Sequence, residues 1–147
     1  MEHKLNIAVR YFSRGGKTKK IADAIAEALR VESLDVSQPL EEPIDLLFVG
    51  GGIYAGKMDK HVKEFLLNLR DVKSIVTFTT SASGKTIHKG VTKALKDKSI
   101  IVSEECLHIP GRFAFFHKDR PNKDDITRAE FFAYEMLEKY IINEKEN

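Results

Sequence analysis

The sequence predicts an α/β domain in which helices cover both faces of a five-stranded parallel sheet, a doubly wound fold. Short β-rich runs alternate with amphipathic helical stretches five times along the chain. The third β-rich run, residues 44–49, is apolar at almost every position, as in a strand covered on both faces. Because short connections and right-handed crossovers leave few topologies, we expect strand order 2-1-3-4-5. The length of 147 residues fits one domain, residues 1–147.

The individual elements follow from apolar periodicity and from the residues that interrupt it. The predicted strands cover residues 5–12, 31–36, 44–49 and 74–79, and a fifth strand opens at residue 100. We place the second strand at a sheet edge, because its pattern is short and weak. The clearest helical stripe covers residues 126–140, with Asp124 or Asp125 as the expected N-cap. Residues 143–147 are predicted to form a frayed tail.

Composition and charge exclude several classes of protein. Hydrophobic residues make up 42% of the chain and the net charge is +2, which gives no indication of nucleic-acid binding. The single cysteine, Cys106, cannot form an internal disulfide, and its apolar flanks predict a buried structural thiol. We find no signal-peptide pattern and no run long enough for a membrane span, and we expect a cytoplasmic protein. The five histidines show no metal-binding spacing.

Candidate ligand-binding residues follow the first strand. In an open parallel sheet, ligands bind beyond the carboxyl ends of the strands, where the strand order reverses. The segment there combines small, basic and hydroxyl residues: Ser13, Arg14, Gly15, Gly16, Lys17 and Thr18. Two glycines allow a tight turn, and N–H groups at the start of the next helix favour an anion. We interpret it as a phosphate-binding loop; the alternative is a capped turn without a ligand.

Two Gly-Lys-Thr triplets, which begin at Gly16 and Gly84, resemble the end of a nucleotide-triphosphate P-loop. That motif needs another glycine five positions before its Gly-Lys pair, and this chain has Tyr11 and Thr79 there. ATP or GTP hydrolysis is therefore not expected. The receiver domain of response regulators shares the strand order, but it needs carboxylates after strands one and three, where this chain has Ser13 and glycines.

Two further segments follow the third and fourth strands. The first contains glycines, an aromatic residue and small residues: Gly50, Gly51, Gly52, Ile53, Tyr54, Ala55 and Gly56. Three consecutive glycines would weaken a strand, so we predict a loop that packs against a ligand. Tyr54 either stacks on a flat ring or covers the core edge. The second segment is small and polar, and an ordinary capped turn is the alternative there: Thr80, Ser81, Ala82, Ser83 and Gly84.

Taken in order, the three segments resemble those of the flavodoxin family, and the resemblance covers essentially the whole chain. Residues 11–22 are similar to the family's phosphate loop for flavin mononucleotide (FMN), and residues 49–56 are similar to its second flavin loop. The chain resembles the short type, which has no long insertion after the fifth strand. The resemblance implies the flavodoxin-like strand order and FMN as the cofactor.

By this resemblance, residues 13–18 hold the FMN phosphate, Tyr54 and the backbone of Ala55 and Gly56 face the isoalloxazine ring, and residues 80–84 hold its other edge. Gly52 and Ile53 complete the expected cofactor-binding residues of the second segment. Two positions depart from the pattern, because Gly15 replaces the usual Thr and Lys17 replaces a common Asn. A phosphate hydroxyl is thereby lost and a positive charge is gained. Flavodoxins that carry electrons are usually strongly acidic, whereas this chain is not.

The expected function is that of an FMN-binding electron-transfer protein, which exchanges electrons with redox partner proteins. No catalytic residue is then required, because the flavin performs the redox chemistry. One alternative is an FMN-dependent oxidoreductase for a quinone or a protoporphyrinogen-like substrate, since some flavodoxin-like enzymes carry a similar Ile-Tyr-Ala-Gly loop. A second alternative is a binding module that has kept the fold without the flavin.

Overall fold

The computed structural model describes residues 4–41, 43–111 and 119–146 of the chain. Its strands are β1 (Ile7–Tyr11), β2 (Ser33–Asp35), β3 (Ile44–Tyr54), β4 (Lys57–Met58), β5 (Val72–Ser81) and β6 (Ile101–Pro110). Its helices are α1 (Lys17–Leu29), α2 (Lys60–Leu67), α3 (His88–Ala94) and α4 (Lys123–Glu146). The part of the similarity to flavodoxins that concerns residues 112–118 lies outside the described residues.

The five main strands form a parallel sheet in the order β2-β1-β3-β5-β6. Counted without the two-residue β4, this is the predicted order 2-1-3-4-5, and β2 lies at the predicted edge. No pattern in the sequence predicts β4, which pairs antiparallel with the end of β3 as a hairpin. The strand order reverses between β1 and β3, so the carboxyl ends of these strands define the expected binding position.

Helices cover both faces of the sheet, as the apolar third run predicted. Leu46 and Phe48 of β3 pack in one buried cluster with α1 and α4, and Leu47 and Val49 pack in a second cluster with α2 and α3. All four side chains have almost no exposed surface. A strand that alternates between two cores needs an apolar residue at every position, which explains the run.

The prediction that residues 50–52 form a loop is wrong, because all three glycines continue β3. They pair with β5, where Gly50 is opposite Phe78. A Cβ atom on Gly50 would lie 1.9 Å from the Phe78 ring, which therefore fills the space where a side chain would stand. The glycines keep the strand regular because neighbouring side chains already occupy its faces.

Two predictions about α4 are also wrong. Residues 143–146 are helical, so the predicted tail begins no earlier than residue 147. Asn122, and neither Asp124 nor Asp125, accepts the capping hydrogen bond: its Oδ1 lies 3.0 Å from the Asp125 N–H. Asp125 reaches back to the Asn122 N–H at 2.9 Å, which completes a capping box. A hydrogen bond from Arg120 holds the pKa of the Asp125 carboxyl below its ordinary value.

The edge strand β6 is irregular where it passes Cys106. Ile75 of β5 pairs with Val102 and Thr77 pairs with Cys106, so residues 103–105 bulge from the ladder. Cys106 is half-buried, whereas we expected a buried thiol. Its Sγ lies 3.8 Å from the hydroxyl of Thr79.

The contact between Gly50 and Phe78 leads to the first prediction. Gly50→Ala should lower the free energy of unfolding by about 1–3 kcal/mol, the usual cost of overpacking a core, because the buried Phe78 ring must shift. Urea denaturation measures the loss. In the matched control Gly15→Ala, no described atom lies within 4 Å of the added Cβ, and a change within about 0.5 kcal/mol is expected. Equal losses in both variants would contradict the explanation of the glycines in β3.

Candidate functional site

The three predicted segments converge at the carboxyl ends of β1, β3 and β5. They surround a cavity of about 200 Å³. The residues that line it are Ser13, Arg14, Gly15, Lys17, Thr18, Ile53, Tyr54, Thr80 and Gly111. Eight of these nine were candidates from the sequence, whereas Gly111, which follows β6, was not among them. The cavity thus lies where the reversal of strand order predicts a ligand.

The first segment forms an open turn into α1. Ser13 Oγ accepts a hydrogen bond from the Gly16 N–H at 2.9 Å and holds the turn closed. Gly16, the N-cap, has a φ of +90°, a conformation that favours glycine. Its lack of a side chain leaves the first turn of α1 without a side-chain cap from any described residue. The N–H groups of that turn and the helix dipole suit an anion.

A buried pair of hydroxyls joins the first and third segments. Thr18 Oγ1 and Thr80 Oγ1 lie 2.6 Å apart, and both residues are buried. One hydroxyl donates to the other, so the proton of the acceptor remains available for a further hydrogen bond. Because both residues line the cavity, the pair places hydroxyl groups in the wall beside the start of α1.

The second segment ends in a tight hairpin, which the sequence did not predict. Ala55 and Gly56 connect β3 to β4 with φ angles of 51° and 77°. Two successive residues with positive φ form a type I′ turn, whose twist matches that of the flanking strands. The Tyr54 hydroxyl lies 3.0 Å from where a Cβ on Gly52 would stand, so the ring folds back along the strand.

Arg14 connects the first segment to this hairpin. Its guanidinium carbon lies 3.8 Å from the centre of the Tyr54 ring, within range of a cation–π interaction. Its Nη2 and Nε donate to Asp59 Oδ2 at 2.7 and 3.1 Å. The side chain expected to face a phosphate therefore also orders the aromatic residue that is expected to face the ring.

Asp59 and His61 belong to this network, although sequence reasoning missed them. Asp59 is the N-cap of α2 and accepts from the His61 N–H at 2.8 Å. The His61 ring donates from Nδ1 to the same carboxylate at 2.7 Å and stacks on Phe12 at a centroid distance of 4.3 Å. An aspartate just before the apolar stripe of a helix is an N-cap signal, which could have identified Asp59.

The Asp59 carboxyl is a buried anion among donors. Burial alone would raise the pKa of Asp59, but hydrogen bonds from His61 and Arg14 outweigh it and hold that pKa below its ordinary value. The side chain of Asp59 has no exposed surface, while that of Arg14 is about half exposed. The buried carboxylate thus holds an exposed cation at the cavity mouth.

The third segment divides between the cavity wall and the surface. Thr80 lines the cavity, while Ala82, Ser83 and Gly84 are exposed. Ser81 Oγ donates to the Lys85 carbonyl at 2.6 Å and lies 2.9 Å from His108 Nε2. Because its proton is committed to a carbonyl, this serine is not arranged as a nucleophile.

Lys17 closes the remaining side of the site. Its ammonium donates to the carbonyl of Arg120. Arg120 is in turn fixed by Asp125, with Nε 2.8 Å from a carboxylate oxygen. The capping box of α4 is thereby connected to the first segment through two basic side chains.

Comparison with known proteins agrees with this geometry. The family model described as a flavodoxin domain matches residues 8–117, about three quarters of the chain. The chain belongs to the flavodoxin family. An uncharacterized protein of Methanocaldococcus jannaschii is 35% identical over 134 residues, which span 82% of this chain and 89% of the relative.

Solved flavodoxins share the fold of this family member. A flavodoxin from the domain Archaea superposes with a TM-score of 0.72 at 16% identity, over 92% of this chain and 99% of that one. Flavodoxin 2 from Bacillus cereus gives 0.70 at 20% identity, over 91% and 99%. In the residues that the structure describes, no helix combines the length and the apolar character needed to cross a membrane.

The second prediction concerns Asp59. Asp59→Asn keeps an N-cap acceptor but removes the charge, and it should lower the free energy of unfolding by about 1 kcal/mol at pH 7. A carboxyl with a lowered folded-state pKa contributes stability above its unfolded pKa and loses it as the pH falls through the folded pKa. The difference from wild type should therefore shrink below about pH 4.

Urea denaturation at pH 7 and at pH 3 measures both values. Asp59→Ala, which also removes the N-cap, serves as the comparison and should cost about 1 kcal/mol more at either pH. If the deficit of Asp59→Asn is the same at both pH values, the ionised carboxylate is not what stabilises the network.

Proposed function

We propose that this member of the flavodoxin family binds FMN at the cavity and acts as an electron-transfer protein. The observation that carries the proposal is the start of α1, where the N-cap Gly16 has no side chain and the first turn borders a cavity lined by hydroxyls and cations. An anion at this position meets N–H donors, a helix dipole and positive side chains together. A phosphate monoester carries the negative charge and the acceptor oxygens that such a site suits.

The donor set of the site fits the phosphate. Gly15 and Gly16 have no described atom within 4 Å of where a Cβ would stand, so space for a ligand borders their backbone. Ser13 and Thr18 would hold the phosphate with hydroxyl and backbone groups, and Lys17 would contribute charge. Arg14 would add charge from the cavity mouth, where Asp59 holds it. The replacement of the usual Thr by Gly15 is offset by these basic side chains.

The second and third segments fit a flat polar ring. Tyr54 and Ile53 provide apolar surface, and the turn at Ala55 and Gly56 exposes backbone groups at the edge of the site. Thr80 would contribute its backbone and hydroxyl from the opposite wall. FMN supplies one- and two-electron redox chemistry when it is bound, and the protein supplies orientation and electrostatics.

An electron carrier fits these side chains better than an enzyme does. The Ser81 hydroxyl donates a hydrogen bond to a backbone carbonyl, and His61 is held by Asp59 and stacked on Phe12. Such groups are structural, whereas a general acid or base must reach a substrate. Turnover of NAD(P)H with a quinone or a protoporphyrinogen-like substrate would favour the oxidoreductase instead, and a protein that ignores added FMN would favour the binding module.

The third prediction is one FMN site per chain, in which the phosphate contributes to affinity. Titration calorimetry with FMN and with riboflavin, which lacks the phosphate, tests it. FMN should bind at least tenfold more tightly, which corresponds to about 1.4 kcal/mol. Equal affinities would remove the phosphate from the proposal, and binding of neither ligand would overturn the flavin cofactor itself.

The fourth prediction concerns the hydroxyl of Thr18. Thr18→Val preserves the branched shape of the side chain but removes the donor, and it should weaken FMN binding by about 1.5–3 kcal/mol, the range for hydrogen bonds to charged groups. Riboflavin binding should change little. Thr18→Ser restores the hydroxyl and should recover most of the affinity. If Thr18→Val weakens both ligands equally, the residue acts through the Thr80 contact and the fold.

A further inference from the structure

Charge is unevenly distributed along this chain. For this count the second and third segments are taken together with the residues that follow them, as residues 54–61 and 80–89. With residues 13–18 they contain six basic residues and one acid, Asp59. They contribute +5 to a chain whose net charge is +2, so the rest of the chain carries −3. We call the six basic residues the basic face: Arg14, Lys17, Lys57, Lys60, Lys85 and Lys89.

The fold brings these residues to one end of the molecule. The three segments follow the carboxyl ends of parallel neighbouring strands, and all six side chains except the half-buried Lys17 are exposed. The Lys85 ammonium lies 3.6 Å from where a Cβ on Gly56 would stand, so it reaches across to the hairpin that carries Lys57. Asp59 is buried and paired with Arg14, so it offsets one of the six positive charges and leaves the other five without an acid from these segments.

Two of these cations stand at helix starts. Lys17 is the first residue of α1, which has no acid in its first turn, and Lys60 is the first residue of α2, whose N-cap Asp59 is paired with Arg14. The helix dipole makes the start of α1 positive, so it adds to the charge of the lysine beside it. Both helix starts therefore contribute positive charge at this end of the sheet.

The FMN phosphate does not require the whole basic face. A phosphate monoester carries about two negative charges at neutral pH, and Arg14, Lys17 and the N-terminus of α1 already border the phosphate loop. Four further lysines lie on the hairpin, at the start of α2, and before and within the first turn of α3: Lys57, Lys60, Lys85 and Lys89. Lys57 follows the exposed turn at Ala55 and Gly56 directly, and the Lys85 ammonium reaches the same turn.

We propose that the basic face is a docking surface for an acidic redox protein, whose carboxylates surround its own redox centre. The inference rests on the proposed function, because it assigns the partner of the same site. Complementary charge would steer the two proteins together and bring the hairpin turn against the partner. Binding of this kind weakens steeply as salt rises.

Two forms of one probe that carry opposite charge test the proposal. Cytochrome c is a basic haem protein, and succinylation converts its lysines to carboxylates. Each form, reduced and therefore diamagnetic, is titrated into the ¹⁵N-labelled protein with and without FMN, and amide chemical shifts are recorded. The acidic form should shift the amides of residues 13–18, 54–61 and 80–89, and its affinity should fall at least tenfold at 0.5 M salt. The native form should leave these amides in place.

A charge-reversed pair with a matched control separates the surface from net charge. Lys57→Glu with Lys85→Glu should weaken the acidic probe at least tenfold. Lys96→Glu with Lys145→Glu changes the net charge equally on exposed residues at the C-terminal ends of α3 and α4, and it should change the affinity less than threefold. Circular dichroism confirms that each pair is folded.

Three outcomes would overturn the docking surface: shifts outside the three segments, equal binding of both cytochrome forms, or equal weakening by both variant pairs. Tighter binding of a DNA duplex than of the acidic probe at equal salt would overturn the choice of a protein partner. The FMN titration is read separately from the amide shifts. FMN binding without localised shifts rejects the docking surface alone, and localised shifts without FMN binding reject the flavin alone.

Discussion

The site depends on the continuation of β3 beyond the core of the sheet. Most of this strand packs between two helical layers, but its last residues carry Tyr54 to the cavity. The strand remains paired with β5 through the three glycines because the Phe78 ring occupies the space that a side chain on Gly50 would need. A buried aromatic ring thus accounts for the glycine through which β3 reaches the second segment.

A second constraint joins the three segments to one another. The segments come from different strands, and each connection between them is polar: the hydroxyls of Thr18 and Thr80 join the first and third, and Arg14 joins the first to the hairpin. Asp59 stabilises the contact between Arg14 and the hairpin, because the same carboxylate caps α2 and accepts hydrogen bonds from Arg14. Side chains that are held in this way pre-organise a site, so less ordering is required when a ligand binds.

The sequence predicted the sheet order and the positions of the three segments because both depend on local patterns. Alternation of strands with helices, and small residues at strand ends, can be read without knowing which residues meet. Gly50 and Asp59 show where this reading fails. The glycines extend a strand because of Phe78, which lies 28 positions later, and Arg14 meets Asp59 across 45 positions. Such pairs follow from tertiary packing, which overrides the local preference.

The charges at the starts of the helices are informative for the same reason. Local preferences and global structure agree over most of a stable fold, and departures concentrate where function requires them. In α4, away from the hairpin, the first turn contains Asp124 and Asp125 and forms a capping box, as the helix dipole favours. In α1, whose first turn borders the cavity, the N-cap is Gly16 and no acid stands in the first turn. An anion bound in the cavity would supply at α1 the negative charge that Asp124 and Asp125 supply at α4, so the missing acids of α1 are accounted for by the proposed ligand.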